Sequence, residues 1–202
     1  MNELLSRRIE RRTRQRATNR ATILDAARRI ASRHGEGDLS LRSVAAEAGY
    51  APASVYEYFQ NRAELVIALA TDDLASLGRE LREKKEGDGS IKAAAGIVLN
   101  YLRSSGALPA AVPALAATNE PSEAERLFNG KLIAALTAFA EAAGLAPVTD
   151  PRRQADVILA VCSLIGLSVL SRAGRLSALS LEQDALIEHL SSLHSPEQLN
   201  IG

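Results

Sequence analysis

The fold of this chain is decided by residues 41–59, which have the sequence LRSVAAEAGYAPASVYEYF. The pattern predicts two short helices, the second over about residues 52–59, joined by a tight turn at Gly49, where a left-handed backbone costs glycine little. Ala45 is small enough to let the two helices approach, and Val55 faces inward from the second helix. This spacing is typical of a helix-turn-helix, and the alternative is a plain helical hairpin inside a bundle.

The rest of the chain also has a helical composition. Alanine and leucine, both strong helix formers, fill about a third of the 202 residues, and no segment alternates apolar and polar residues at strand period. These features therefore argue against an all-β or α/β fold. The apolar spacing predicts an all-α fold of about nine helices. The first of these is expected over about residues 18–34 and a short one around 110–118, with capping boxes at Ser122/Glu125 and Ser180/Gln183.

Two further observations indicate where in the cell the protein is found. The longest uncharged apolar run, residues 157–170, has fourteen residues, which is too short to cross a bilayer. The N-terminus is rich in arginine and lacks the apolar core of a secretory signal, and a single cysteine fits a reducing compartment. We therefore expect a cytoplasmic protein with no membrane partner.

Charge is distributed unevenly along the chain, although its formal net charge is zero. Residues 1–34 carry ten arginines and three acids, whereas residues 71–202 have a net charge of −4. A basic end on an acidic body suggests a polyanionic partner at that end. The alternative is a solvated basic tail that has no partner.

Several motifs between about residues 20 and 69 occur together. They are ILDAA at 23–27, VA at 44–45, AG at 48–49, VYEYF at 55–59, NR at 61–62 and EL at 64–65. In this combination the chain resembles the TetR (tetracycline-repressor-like) family of bacterial transcription regulators. The remaining residues, about 130, match the family only in the number and order of their helices.

The resemblance implies a homodimer with an N-terminal three-helix DNA-binding domain and a C-terminal helical domain for regulation and dimerisation. We accordingly divide the chain into a basic arm (1–17), a helix-turn-helix domain (18–62), an effector-binding and dimerisation domain (63–195) and a loose tail (196–202). The implied function is a ligand-responsive regulator, most often a repressor, that binds a palindromic operator in double-stranded DNA and is released by a small effector.

The same resemblance assigns DNA contacts to individual residues. Phosphate contacts are expected from Ser40, Arg42, Tyr56 and Arg62, and approach to base edges from Pro52, Ala53 and Ser54. The arm arginines, with Arg16 and Arg20 at its end, are expected to enter the adjacent minor groove, or to remain a disordered tail in the free protein.

Two positions depart from the family pattern. Ala51 stands where the family commonly has serine, so the recognition helix lacks its usual hydroxyl cap. Glu57 would either repel the DNA backbone or accept a hydrogen bond from a cytosine amino group. These departures support an alternative from another class, a helical adaptor that kept the helix-turn-helix shape without binding DNA.

The C-terminal part carries few aromatic residues, so a pocket there would be lined mainly by aliphatic side chains and would suit an apolar effector. Its lining residues cannot be named from the sequence. Small residues and apolar stripes in the last two long helices predict a dimer interface formed by Ile158, Cys162, Ile165, Gly166, Val169, Leu186, Leu190 and Leu193.

Enzymatic functions are disfavoured by the residue pattern. The three histidines lie far apart without metal-ligand spacing, and neither a glycine-rich phosphate loop nor a nucleophile motif occurs. Cys162 lies in an apolar helix and is predicted to be a buried, inert thiol. We therefore expect no catalysis, no cofactor and no metal.

Overall fold

The computed structural model describes residues 2–34, 36–85, 89–104, 111, 115, 122–145 and 151–193. Over these residues the chain is helical and contains no strand, which confirms the predicted all-α class. The helices of this part are α1 (Asn2–His34), α2 (Leu41–Ala48), α3 (Pro52–Tyr56), α4 (Arg62–Glu83), α5 (Ile91–Ser104), α6 (Glu123–Ala142), α7 (Pro151–Arg172), α8 (Arg175–Ala178) and α9 (Gln183–Leu193), with a 3-10 turn at Glu36–Asp38. The helix expected around 110–118 and the tail 196–202 lie almost wholly or wholly outside the described residues.

The chain forms two compact units, residues 1–70 with 105–128 and residues 71–104 with 129–202. In the first unit α1 packs against α2, and α2 packs against α3. Ile23 and Ala27 of α1, Val44 of α2 and Val55 of α3 are fully buried there. Burial of these side chains is the main stabilising contribution to the helix-turn-helix.

Helix α1 is longer than the sequence predicts. It begins at Asn2 and not near Thr18, so the segment expected to be a separate arm is the first half of a 33-residue helix. The reason is local, because residues 2–17 contain neither glycine nor proline and consist largely of arginine, leucine, glutamate, glutamine and alanine, which all favour helix.

Helix α3 is shorter than predicted and ends at Tyr56. The backbone N–H groups of Tyr58 and Phe59 both donate to the carbonyl oxygen of Val55, each at 3.0 Å, so the last turn tightens and the chain leaves the helix axis.

In the second unit α5 packs against both α7 and α9. One apolar stripe of α5 is buried and consists of Ile91, Ala95, Val98 and Leu102. The loop before α5 is held by a hydrogen bond from Ser90 N to Ala142 O at the end of α6. Gly89 has a φ of 87°, and a Cβ there would lie 2.5 Å from Gly144 N, so this position requires glycine.

Helix α7 turns one apolar face inward and another outward. Val157, Ala160, Leu164 and Ser168 are buried, whereas the opposite side exposes the thiol-bearing Cys162 together with several large apolar residues, namely Ile158, Leu159, Ile165, Val169 and Leu170. The prediction that Cys162 is buried is therefore wrong for the single chain, because this residue falls on the face away from α5.

By length and composition alone α7 could cross a membrane, and 28% of its apolar window is buried. The apolar part of α7 is thus longer than the fourteen-residue uncharged run. Core helices of soluble proteins can have the same length and composition.

Candidate nucleic-acid interface

The start of α2 is fixed by a reciprocal pair of hydrogen bonds. Ser40 Oγ accepts from Ser43 N at 3.0 Å, and Ser43 Oγ accepts from Ser40 N at 3.0 Å, which forms a capping box. At the other end Gly49 adopts the left-handed conformation, with φ 74° and ψ 26°. The N–H of Tyr50 then donates to Ala45 O at 2.9 Å and closes the turn between the two helices. The turn predicted at Gly49 is confirmed.

Helix α3 presents most of its residues to solvent. Pro52 occupies the first turn, and Ala51 is the N-cap residue with no side-chain hydrogen bond, as its sequence dictates. Val55 is the buried residue of this helix, and Ser54 is half-buried. The other residues assigned to DNA, which are Pro52, Ala53, Tyr56 and Glu57, are exposed, Tyr56 by 49%. Apart from half-buried Ser54, the residues of this segment that the resemblance assigns to DNA are therefore accessible to a partner.

The residues assigned to phosphate at the start of α2 lie close to the start of α4. Arg62 Nε donates to the carbonyl oxygen of Leu39 at 2.9 Å, which holds the guanidinium at the residue that precedes Ser40, while Arg42 lies in the first turn of α2. All three of these residues are exposed. The bond joins residues 23 positions apart, so local sequence patterns gave no sign of it. It gives Arg62 a structural role in addition to the predicted phosphate contact.

The first turn of α4 is capped by two hydrogen bonds between side chains and the backbone. Asn61 Oδ1 accepts from Glu64 N at 2.9 Å, and Glu64 Oε2 accepts from Gln60 N at 2.7 Å. These bonds fix the direction in which α4 leaves the helix-turn-helix and place Arg62 in its first turn.

Two arginines assigned to the arm pack against the end of α3. The Cζ atom of Arg16 lies 5.5 Å from the centroid of the Tyr58 ring, and that of Arg20 lies 5.4 Å from the centroid of the Phe59 ring. Arg16 Nη2 also donates to Glu57 O at 3.3 Å, and Asn19 Nδ2 donates to Tyr58 Oη at 3.1 Å. These contacts join α1 to the end of α3, and minor-groove binding by the two arginines stays a prediction.

One acid of the first unit is neutralised by two arginines of α1. Glu47 of α2 pairs with Arg29 at 2.7 Å and with Arg33 at 2.6 Å. Hydrogen bonds from Arg29 and then from Arg33 lower the pKa of the Glu47 carboxyl below its ordinary value. These ion pairs connect α1 and α2 at the surface. Because all three side chains are partly exposed, dissolved salt weakens the attraction between them.

The second unit contains an open groove of about 250 Å³ between α5 and α9. Its floor is formed by Leu99 and Ile187, and its rim carries Lys92, Arg103 and Asp184. Lys92 pairs with Glu188 at 2.7 Å, which raises the pKa of the Lys92 ammonium and lowers that of the Glu188 carboxyl. This rim is more polar than the pocket expected for an apolar effector. Within the described ranges no group of His, Cys, Asp or Glu is arranged to hold a metal ion.

The residues predicted for the dimer interface lie on α7 and α9. Most of them are exposed in the single chain, namely Ile158, Cys162, Ile165, Gly166, Val169 and Leu193, and the remaining two, Leu186 and Leu190, are half-buried. A Cβ added to Gly166 would meet no atom within 4 Å, so space is open beside α7 at this residue.

Comparison with known proteins supplies an independent finding. Residues 23–69 match the family model described as bacterial regulatory proteins, tetR family. No curated protein sequence matches the chain.

Three solved structures of similar fold are described as regulatory proteins. A TetR transcriptional regulator from Rhodococcus sp. RHA1 is 19% identical, with 93% of this chain and 100% of that chain covered and a TM-score of 0.66. The putative regulatory protein SCO4313 is 19% identical over 91% and 98% of the two chains, with a TM-score of 0.67. The transcriptional regulator FadR from Bacillus subtilis, solved in complex with stearoyl-CoA, is 16% identical over 86% and 96%, with a TM-score of 0.54.

Proposed function

We propose that this chain is a ligand-responsive repressor. The premise is that it carries the N-terminal domain of the tetR family and has the fold of TetR-family transcriptional regulators. It binds a palindromic operator as a homodimer in the bacterial cytoplasm, and a small apolar molecule releases it. Gene regulation of this kind needs no catalytic step.

DNA binding is supported mainly by the exposed side of α3 and by the cationic and polar side chains near the start of α2, which could bind phosphate. Arg42 and Arg62 flank the capped start of α2, and Tyr56 is exposed on α3. If α3 lies in the major groove, the start of α2 meets the adjacent phosphates, where helix N–H groups and cationic side chains bind the backbone. The small side chains of Ala53 and Ser54 then approach base edges and thymine methyls.

Dimerisation is supported by the outward face of α7. Large apolar side chains such as Ile165 and Val169 are exposed there together with Gly166, and α9 adds Leu193. A contiguous exposed apolar surface of this kind marks an interaction site in a soluble protein. Pairing α7 and α9 with their copies about a two-fold axis buries both stripes in a four-helix contact and gives the operator its palindromic symmetry.

The apolar effector is supported by composition and by one neighbour. The second unit is rich in aliphatic side chains, and a regulator of similar fold has been solved with stearoyl-CoA. We therefore place an aliphatic chain, carried by a thioester or a carboxylate, first among the effector classes to test. The effector can shift DNA affinity only by as much as its own affinity differs between the two states of the protein.

The test starts from a pool of random duplexes, because the operator sequence is not fixed by these residues. The full chain should enrich a palindrome whose half-sites are about one helical turn apart. The double variant Gly166→Arg with Leu190→Asp should sediment as a monomer and lose the palindrome while keeping the helical circular dichroism of wild type. The matched control is Ile133→Asp, which changes an exposed large apolar residue of α6, outside the predicted interface on α7 and α9.

The second candidate is a helical adaptor that does not bind DNA. It is favoured by the exposed carboxylate of Glu57 beside α3 and by the uncapped Ala51. Under the adaptor function no duplex is enriched.

A wild-type protein that sediments as a monomer at micromolar concentration and binds a half-site tightly would contradict the dimer model.

A further inference from the structure

The first half of α1 forms a continuous helix with the part that packs in the helix-turn-helix. Neither glycine nor proline occurs between residues 2 and 34, and the side chains from 6 to 18 are exposed. Arg16 and Asn19 mark where α1 meets the end of α3. At 1.5 Å per residue, residues 2–15 extend about 21 Å beyond that contact.

Arginines follow one another along one side of this extension. Arg8, Arg12, Arg16 and Arg20 are spaced four residues apart, which places them on neighbouring turns of a single face. Arg16 and Arg20 lie over the rings of Tyr58 and Phe59. Arg12 and Arg8 therefore lie one and two turns further out than Arg16, on a stripe that rotates by about 40° around the helix at each step.

The dimensions of a helix exclude the binding mode expected for a flexible arm. An α-helix with its side chains is about 10–12 Å wide, whereas the minor groove of B-DNA is about 6 Å wide. Like charges four residues apart also repel each other on an isolated helix, and phosphates placed along the face remove that repulsion. A partner with regularly spaced negative charge matches this surface.

We propose that the first half of α1 remains helical on DNA and lies along the phosphate backbone beside the operator half-site, outside the minor groove. This inference rests on the proposed function, because α3 must first place the protein on DNA. Through Arg8 and Arg12 the helix extends the contact beyond the half-site, by up to about six base pairs if its 21 Å run parallel to a DNA axis that rises about 3.4 Å per pair. The added contact carries no sequence information of its own.

The first experiment measures the salt dependence of binding by the full chain to the selected palindrome, extended by eight base pairs at each end. In the homodimer the double variant Arg8→Gln with Arg12→Gln removes about four phosphate contacts, two in each subunit, and each contact contributes about 0.9 to the slope of log affinity against log salt. The wild type should therefore lose about 150-fold more affinity than this variant between 50 and 200 mM salt. The control Arg8→Lys with Arg12→Lys keeps both charges and should retain the wild-type slope. Equal slopes for wild type and the glutamine variant would overturn the inference.

The second experiment separates helical structure from charge. Thr13→Pro interrupts α1 before the contact at Arg16 and leaves the net charge unchanged, and Thr13→Ala is its helix-preserving control. On a palindrome with eight extra base pairs at each end, the proline variant should lose the additional affinity that wild type gains from these flanks. On the palindrome without flanks, the two variants should bind alike.

The outcomes distinguish this inference from the proposed function. The helical arm would be overturned if wild type and Thr13→Pro gained the same affinity from the flanks and a minor-groove-binding polyamide removed that gain from both. This result would leave the proposed regulator function intact. A wild type that enriches no duplex would overturn the proposed function and this inference together.

Discussion

Replacement of Gly49 by alanine tests the geometry on which the recognition helix depends. Gly49 has a φ of 74°, and a Cβ at this residue would meet no atom within 4 Å, so conformational strain is the main cost. A left-handed backbone costs a residue with a Cβ about 1–2 kcal/mol. Alanine recovers about 0.4–1 kcal/mol by restricting the unfolded chain. We expect Gly49→Ala to destabilise the first unit by about 1 kcal/mol.

The matched control is Gly130→Ala in α6. Gly130 lies within a regular helix, is exposed, and would also meet no atom within 4 Å of an added Cβ. Alanine there should stabilise the protein by about 1 kcal/mol, since glycine is disfavoured in helices by that amount. The two identical chemical changes should therefore have effects of opposite sign, about 2 kcal/mol apart.

The assay is urea denaturation followed by circular dichroism, combined with amide hydrogen exchange of residues in α2 and α3, which reports the first unit separately. Gly49→Asn should lie between wild type and Gly49→Ala, because asparagine tolerates the left-handed region better than alanine. If Gly49→Ala stabilises the protein as Gly130→Ala does, the turn does not have a positive φ, and the placement of α3 derived from it is wrong.

Two further changes test the surface network and the recognition helix. Glu47→Gln should destabilise the first unit at pH 7 by removing the pairs with Arg29 and Arg33. Because the pKa of Glu47 is lowered in the folded protein, its contribution is present above the ordinary carboxyl pKa and is lost as pH falls through the lowered value, so denaturation curves of the variant and wild type should converge in acid. Tyr56→Phe should weaken binding to all duplexes alike by about 1–2 kcal/mol per subunit in a titration, and preserved affinity would remove Tyr56 from the phosphate contacts. Glu57→Lys should raise non-specific affinity if the side chain faces the backbone, or abolish preference for the selected palindrome if it contacts a base.

Features specified by neighbouring residues were predictable from the sequence. The short helix predicted before the turn at Gly49 is formed as α2 (Leu41–Ala48), because a serine cap and a left-handed glycine enclose it. The capping box of Ser122 and Glu125 is likewise formed, with Glu125 N donating to Ser122 Oγ and Ser122 N donating to the Glu125 carboxylate. In each case the decisive interaction joins residues within five positions of each other.

Features that depend on distant residues were missed or misjudged. The bond from Arg62 to Leu39 and the stacking of Arg16 on Tyr58 join separate helices, and no local pattern encodes them. The capping box expected at Ser180 is wrong, since Ser180 has a φ of 55° and its N–H donates to Ser177 O at the end of α8. Ser180 instead lies in the turn that follows the short helix α8, and α9 begins three residues later, at Gln183.

The distribution of aromatic rings makes the first unit separately visible by spectroscopy. The chain has four tyrosines and no tryptophan, and Tyr50, Tyr56 and Tyr58 all lie in or beside the helix-turn-helix, whereas Tyr101 lies in α5. Tyrosine emission excited near 280 nm is thus dominated by the first unit, while helical circular dichroism averages over both. Arg16 and Asn19 both contact Tyr58, so separation of α1 from the end of α3 changes the surroundings of an emitting ring. Unfolding of the first unit is therefore measurable in the wild-type chain without an attached dye.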